Sequence, residues 1–203
     1  MKTYPPGKLP HDVLAHLLSK HTRSTDPRLR VGPGIGEDAA VIDFGDVCLV
    51  AKTDPITFAT DQIGWYAVHV NANDIAAMGA TPRWFLSTVI VPESMATADL
   101  FEDILSQIDS ACASLDVSVA GGHTEITTGI DRPIVVGQML GEVSSGRVIR
   151  SSGLRPGDAI LLTKGLAIEA TSILARQMKA HLQGRGWDDA ELDTATAYLT
   201  SPG

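Results

Sequence analysis

Asp61-Gln62-Ile63-Gly64-Trp65-Tyr66-Ala67-Val68-His69-Val70-Asn71-Ala72-Asn73-Asp74-Ile75-Ala76-Ala77-Met78-Gly79-Ala80-Thr81-Pro82 is the stretch on which the fold turns. Ile63, Tyr66, Ala67, Val70 and Ile75 recur at helical spacing, so residues 61–78 form a long amphipathic helix that Gly79 is placed to stop. Asn71 and Asp74 stand three residues apart on one strip of it, two polar interruptions in an otherwise apolar segment.

Strand patterns flank this helix on both sides. Upstream, residues 39–44 and 47–53 make a hairpin around Gly45-Asp46, preceded by a glycine-rich lead-in and a short helix over 11–21. Downstream, residues 84–91 form a strand, and Leu100, Ile104, Ile108, Ala111 and Leu115 mark a second amphipathic helix with Thr97 as its cap. A short strand over 117–120 then runs into Gly121-Gly122, and the continuous apolar run 134–143 has the look of a central strand. The order ββαβαββ gives an α/β (α+β) fold, a mixed sheet covered by two long helices. Residues 144–158, rich in Ser, Gly and Arg, read as a linker, followed by a strand over 159–163 and a helix over 167–182. We expect a domain over 1–147 and the start of a second, incomplete one over 148–203.

Composition narrows the function. Among 203 residues, 16 Lys and Arg face 24 Asp and Glu, a net charge of −8 that repels phosphodiester backbones and argues against a nucleic-acid partner. No apolar run approaches the roughly 20 residues that span a bilayer, and residues 1–12 lack the apolar core of a signal peptide, so a cytoplasmic protein without a membrane partner is expected. Cys48 and Cys112 have neither zinc-ligand spacing nor a CxxC pattern and read as reduced, buried thiols.

Gly32, Gly34 and Gly36 give GxGxG ahead of a strand, which fits neither a Walker loop nor a dinucleotide-binding turn. Carboxylates at element boundaries are more informative. Asp38 begins the first strand, Asp54 ends the second, and Asp74 lies in the helix after them. Mg²⁺ takes oxygen ligands, commonly one or two carboxylates completed by waters and substrate phosphates. Each aspartate also has a plain alternative: Asp54-Pro55 as a turn, Asp38 as a backbone cap, Asn71, Asn73 and Asp74 as a solvated face.

Four blocks carry a resemblance: Gly36-Glu37-Asp38-Ala39-Ala40, Thr53-Asp54, Asn71 through Pro82, and Gly121-Gly122-His123-Thr124. In order and spacing they resemble the aminoimidazole ribonucleotide synthetase superfamily, most closely its hydrogenase-maturation, carbamoyl dehydratase branch. The resemblance implies an N-terminal domain that forms a homodimer through its sheet, with ATP and Mg²⁺ bound beside it, and a second α/β domain. It gives Asp38, Asp54 and Asp74 the Mg²⁺ and thereby the phosphates, and puts Asn71, Gly121 and Gly122 among the cofactor-binding positions. His123 stands where many members have an acidic residue, as a catalytic group or a replaced ligand with Glu125 as stand-in. Lys52, beside Asp54, is placed to reach a phosphate. The selenophosphate synthetase branch is disfavoured, because it needs a reactive cysteine ahead of the first strand and Cys48 lies inside one. The expected function is ATP- and Mg²⁺-dependent phosphoryl transfer to a carbonyl or amide oxygen, as in a carbamoyl-type substrate, or to another small acceptor. A non-catalytic nucleotide-binding or dimerisation module is the alternative, and a metal-binding scaffold a third.

Overall fold

The structure, a computed structural model, describes residues 3–23, 25–59 and 61–201. The chain divides into two compact units, Met1–Leu154 and Arg155–Gly203.

In the first unit α1 (His11–His21) precedes β1 (Leu29–Val31), β2 (Ala40–Asp43), β3 (Val47–Ile56), α2 (Ile63–Ala77), β4 (Thr81–Pro92), α3 (Ala98–Ser114), β5 (Ser118–Thr127) and β6 (Ile134–Ser144). The six strands form one sheet in the order β1-β2-β3-β6-β4-β5. Only β4 and β5 run parallel; the other neighbours are antiparallel. The mixed α/β architecture is therefore as expected, with the long apolar β6 in the middle.

Alternation decides the two faces. Cys48 and Val50 of β3, Phe85 and Val89 of β4, and Val135, Met139 and Val143 of β6 are buried on one face. There α2 lies on the sheet, and α3 packs on α2 through Ile104 and Ile108. Because α2 is enclosed on two sides, it buries Ile63, Tyr66, Ala67, Val68, Asn71, Ala72 and Ile75, a wider belt than the single stripe the spacing predicts. Val68 lies deeper than Val70, which is half-buried. Gly79 ends α2 with φ +76, the left-handed conformation that a side chain disfavours. Thr97 caps α3, its hydroxyl accepting from the Leu100 N–H at 3.2 Å. The opposite face keeps Leu49, Leu86, Ile90, Val136 and Leu140 only half-buried.

Four local expectations need correction. β3 runs through Asp54-Pro55 to Ile56, beyond its expected end at residue 53 and without the turn that was the plain alternative there; β2 stops pairing at Ala51, so beyond it β3 has one neighbour, the setting in which a strand proline is tolerated. β5 continues through Gly121-Gly122 to Thr127, where Gly122 lets the backbones of β4 and β5 approach: a Cβ there would run into the Ser87 carbonyl. β1 lies within the expected irregular lead-in. Residues 145–153, expected as linker, instead fold onto the first unit: the Ile149 N–H donates to the Met78 carbonyl at 3.0 Å and Arg150 meets Glu37 at 2.8 Å. The first unit accordingly runs to Leu154, beyond the expected boundary at 147.

The second unit contains α4 (Ile168–Gln177), α5 (Lys179–Gln183) and α6 (Asp189–Ala197), with Ala175, Leu192 and Ala195 as a small core. The helix expected over 167–182 is broken at Met178, and α6 carries a capping box between Asp188 and Glu191. The strand expected over 159–163 does not form. Ile160 and Leu161 are 86% and 87% exposed, since a strand needs a neighbour for its backbone groups.

Candidate functional site

The acidic groups converge where α2 crosses β3. Lys52 and Asp54 sit two residues apart on the covered face of β3, and Asp74 reaches them from the last turn of α2. Lys52 Nζ lies 2.7 Å from Asp74 Oδ2 and 3.5 Å from Asp54 Oδ2, so one ammonium joins the two elements. Asp38 is exposed on the loop before β2 and lines, with Lys52, Thr53, Glu37 and Gly32, a hollow of about 220 Å³.

Asn71 fixes how closely these elements meet. It is 0% exposed, and its Nδ2 donates to the Ala67 carbonyl at 2.8 Å and to the Asp54 carbonyl at 3.3 Å. Its Oδ1 has no partner among the described residues. The resemblance placed Asn71 at the nucleotide. In the structure its side chain is buried and links α2 to β3. Opposite it on β6, Gly137 has no room for a side chain: a Cβ there would stand 2.8 Å from the Ala67 carbonyl oxygen.

The charges have direct physical consequences. Burial pushes the Asp74 carboxyl above the ordinary carboxylate range, Lys52 opposes this, and the negative charges of Asp38 and Asp54 add to it. Burial pulls the Lys52 ammonium down, but its contacts with Asp74 and Asp54 outweigh the pull and its pKa ends higher than usual. Both groups of the ion pair are thus raised, which disfavours the charged form of Asp74 and favours that of Lys52. The two shifts are compatible, because Asp74 also feels two like charges while Lys52 faces only carboxylates. Three acids and one ammonium leave a net negative site that suits a hard divalent cation. No ready-made group of three acidic, His or Cys ligands occurs among the described residues; the two acids that meet, Asp54 and Asp74, share the Lys52 ammonium.

The glycine–histidine block lies elsewhere. Gly121, Gly122 and His123 belong to β5, with β4 and β6 between it and β3, about 14 Å away at ~4.8 Å per strand step. Gly122, His123 and Thr124 line a separate hollow of about 350 Å³ with Ser87, Leu105, Ile108 and Asp109. His123 Nε2 is 3.7 Å from Glu125 Oε2, and both side chains are exposed. Within one chain, the expected site is therefore two hollows. Sequence reasoning missed the Glu37–Arg150 ion pair and the hydrogen bond from Ser151 Oγ to the Gly36 carbonyl at 2.6 Å, which tie the glycine-rich loop to the segment after β6. Their partners lie more than a hundred residues apart, and no local pattern announces them.

A family model described as AIR synthase related protein, N-terminal domain, matches residues 36–143, which contain Asp38, Lys52, Asp54, Asn71, Asp74 and the β5 block. The chain belongs to this family. Among AIR synthase-related proteins, a hydrogenase expression/formation protein of Methanocaldococcus jannaschii is 30% identical over 83% of this chain and 51% of its own. A selenide, water dikinase of Burkholderia ambifaria is 32% identical over 97% of this chain and 55% of its own. Among solved structures, the hydrogenase maturation protein HypE in complex with ATP superposes with a TM-score of 0.57 at 26% identity, over 86% of this chain and 52% of that one. The chain spans about half the length of these relatives. No helix among the described residues is long and apolar enough to cross a membrane.

Proposed function

We propose that this chain carries the nucleotide-binding half of an ATP- and Mg²⁺-dependent enzyme that transfers phosphate to a carbonyl or amide oxygen, of the kind found in a carbamoyl group, or to another small acceptor. The observation that carries this reading is the meeting of Asp54 and Asp74 at one cationic position, with Asp38 lining the adjoining hollow. The relative crystallised with ATP supports the nucleotide. Asp54 and Asp74 would hold the Mg²⁺, Asp38 would complete its surroundings, and Lys52 would supply a mobile positive charge for a phosphate oxygen. When bound, the metal neutralises charge on the phosphoryl group being transferred. The protein's own contribution is positioning: Asn71 ties α2 to β3, and Gly137 of β6 leaves room for α2 to lie close, so that the carboxylates stay together. His123 and the glycines of β5 line a second hollow, apart from the carboxylates.

Calorimetric titration of ATP with and without Mg²⁺, combined with an assay for phosphate release, tests this reading. Binding should require Mg²⁺, and Asp54→Asn should abolish it while leaving the melting temperature within a few degrees, because a half-exposed aspartate contributes little to stability by itself. Unchanged ATP affinity in Asp54→Asn would make Asp54 a strand residue and nothing more. Binding without turnover would favour the non-catalytic module.

Leu49, Leu86, Ile90, Val136 and Leu140, half-buried on the open sheet face, support a homodimer formed through that face. Sedimentation should therefore give a dimer at micromolar concentration. A monomer there would remove the sheet face as an interface.

A further inference from the structure

Lys52 is drawn in along the covered face of β3 until only 17% of its side chain is exposed. Its ammonium touches a carboxylate from the strand and another from the helix, at 3.5 and 2.7 Å. A cation tethered by the chain itself thus sits where two candidate metal ligands converge. We infer that Lys52 is a positioning residue that acts as a built-in placeholder for the divalent cation: it holds Asp54 and Asp74 together in the metal-free protein, and the cation enters by displacing it. This rests on the assignment of Asp54 and Asp74 as Mg²⁺ ligands proposed above.

Two physical features make the exchange workable. A lysine is a compact charge on a flexible four-carbon stem, so it leaves the carboxylates without moving β3. The hollow lined by Lys52, Thr53, Asp38 and Gly32 opens beside it and gives the released side chain somewhere to go. The cost is competition. Removing the ammonium leaves neighbouring carboxylates facing one another, which weakens the metal-free fold, yet it also clears the position a divalent cation needs. A lysine that merely packed or anchored a phosphate would show no such opposition.

The test is titration with MgCl₂ alone, without nucleotide, of the wild-type chain, Lys52→Met and Lys52→Arg, with melting temperatures in EDTA and in saturating Mg²⁺. Lys52→Met should bind Mg²⁺ at least about tenfold more tightly than wild type, as loss of a unit charge a few ångströms away requires. It should melt lower than wild type in EDTA and recover in Mg²⁺. Lys52→Arg, which keeps the charge, should stay within about threefold of wild type. Equal or weaker Mg²⁺ binding by Lys52→Met, where wild type binds, overturns the placeholder and leaves the ligand assignment standing. Absence of binding in both proteins overturns the two together. A Lys52→Met protein that does not fold even in saturating Mg²⁺ also overturns it, because the metal then fails to substitute for the ammonium.

Discussion

Asp74→Asn should weaken Mg²⁺-dependent nucleotide binding by about 100-fold while the metal-free protein melts at the wild-type temperature or above it. The carboxyl of Asp74 is held above its ordinary range, first by burial and then by the charges of Asp38 and Asp54, with Lys52 only partly compensating. A folded-state pKa above the unfolded one means that the fold favours the neutral acid. Ionised Asp74 therefore subtracts from stability above the ordinary carboxylate pKa, and that loss is recovered as pH falls through the raised value. Asparagine has nearly the same shape and is always neutral, so it removes the burden and leaves Lys52 its contact with Asp54. On acidification, metal-free wild type should gain on Asp74's account a stability increment that Asp74→Asn lacks. Thermal melts across the acidic range, paired with nucleotide titrations at neutral pH, separate the alternatives. A fall of several degrees in Asp74→Asn would make Asp74 a structural partner of Lys52 rather than a group kept at a cost for binding.

The same residues show what local sequence conveys about this chain. Helical periodicity and a capping threonine report on neighbours within a few positions, and α2, α3 and the apolar β6 lie where those signals put them. Gly121-Gly122 misleads, because glycine marks both a turn and a close approach of two backbones, and only the presence of β4 decides which. Ile160-Leu161-Leu162 misleads the other way: an apolar run promises a strand, but among the described residues the second unit offers only helices to pair with it. The candidate site divides along the same line. Asp38, Asp54 and Asp74 stand out as carboxylates at element boundaries, and the resemblance assigns them a metal. The ammonium between two of them depends on strand register and on the height of α2 above the sheet, which no single stretch encodes. Asn71 escapes a local reading for that reason. A polar residue on a helix looks solvated until the helix is known to be covered on both sides.

That height is set by glycines in β6, so Gly137→Ala should damage fold and site together. Gly137 pairs with Asp54 on one side and Ser87 on the other, and its carbonyl accepts from Thr53 Oγ1 at 3.0 Å. A Cβ added there runs into Asn71 Nδ2, lies 2.8 Å from the Ala67 carbonyl and 3.0 Å from the Phe85 ring. The Asn71 amide could swing aside, but the Ala67 carbonyl is helix backbone and moves only if α2 lifts. Overpacking of this kind costs about 1–3 kcal/mol, at about 2–4 °C of melting temperature per kcal/mol for a domain of this size. Lifting α2 also stretches the Asn71 link to the Asp54 carbonyl and draws Asp74 away from Asp54, so nucleotide affinity should fall as well. Gly146→Ala is the control, since a Cβ at Gly146 meets nothing within 4 Å, and it should match wild type in both measurements. If Gly137→Ala melted with wild type, α2 would have slack above the sheet, and Asn71 could not be what sets the spacing of the carboxylates. If it melted lower but bound nucleotide normally, the carboxylates would tolerate a displacement of α2, and Lys52 alone would suffice to hold them together.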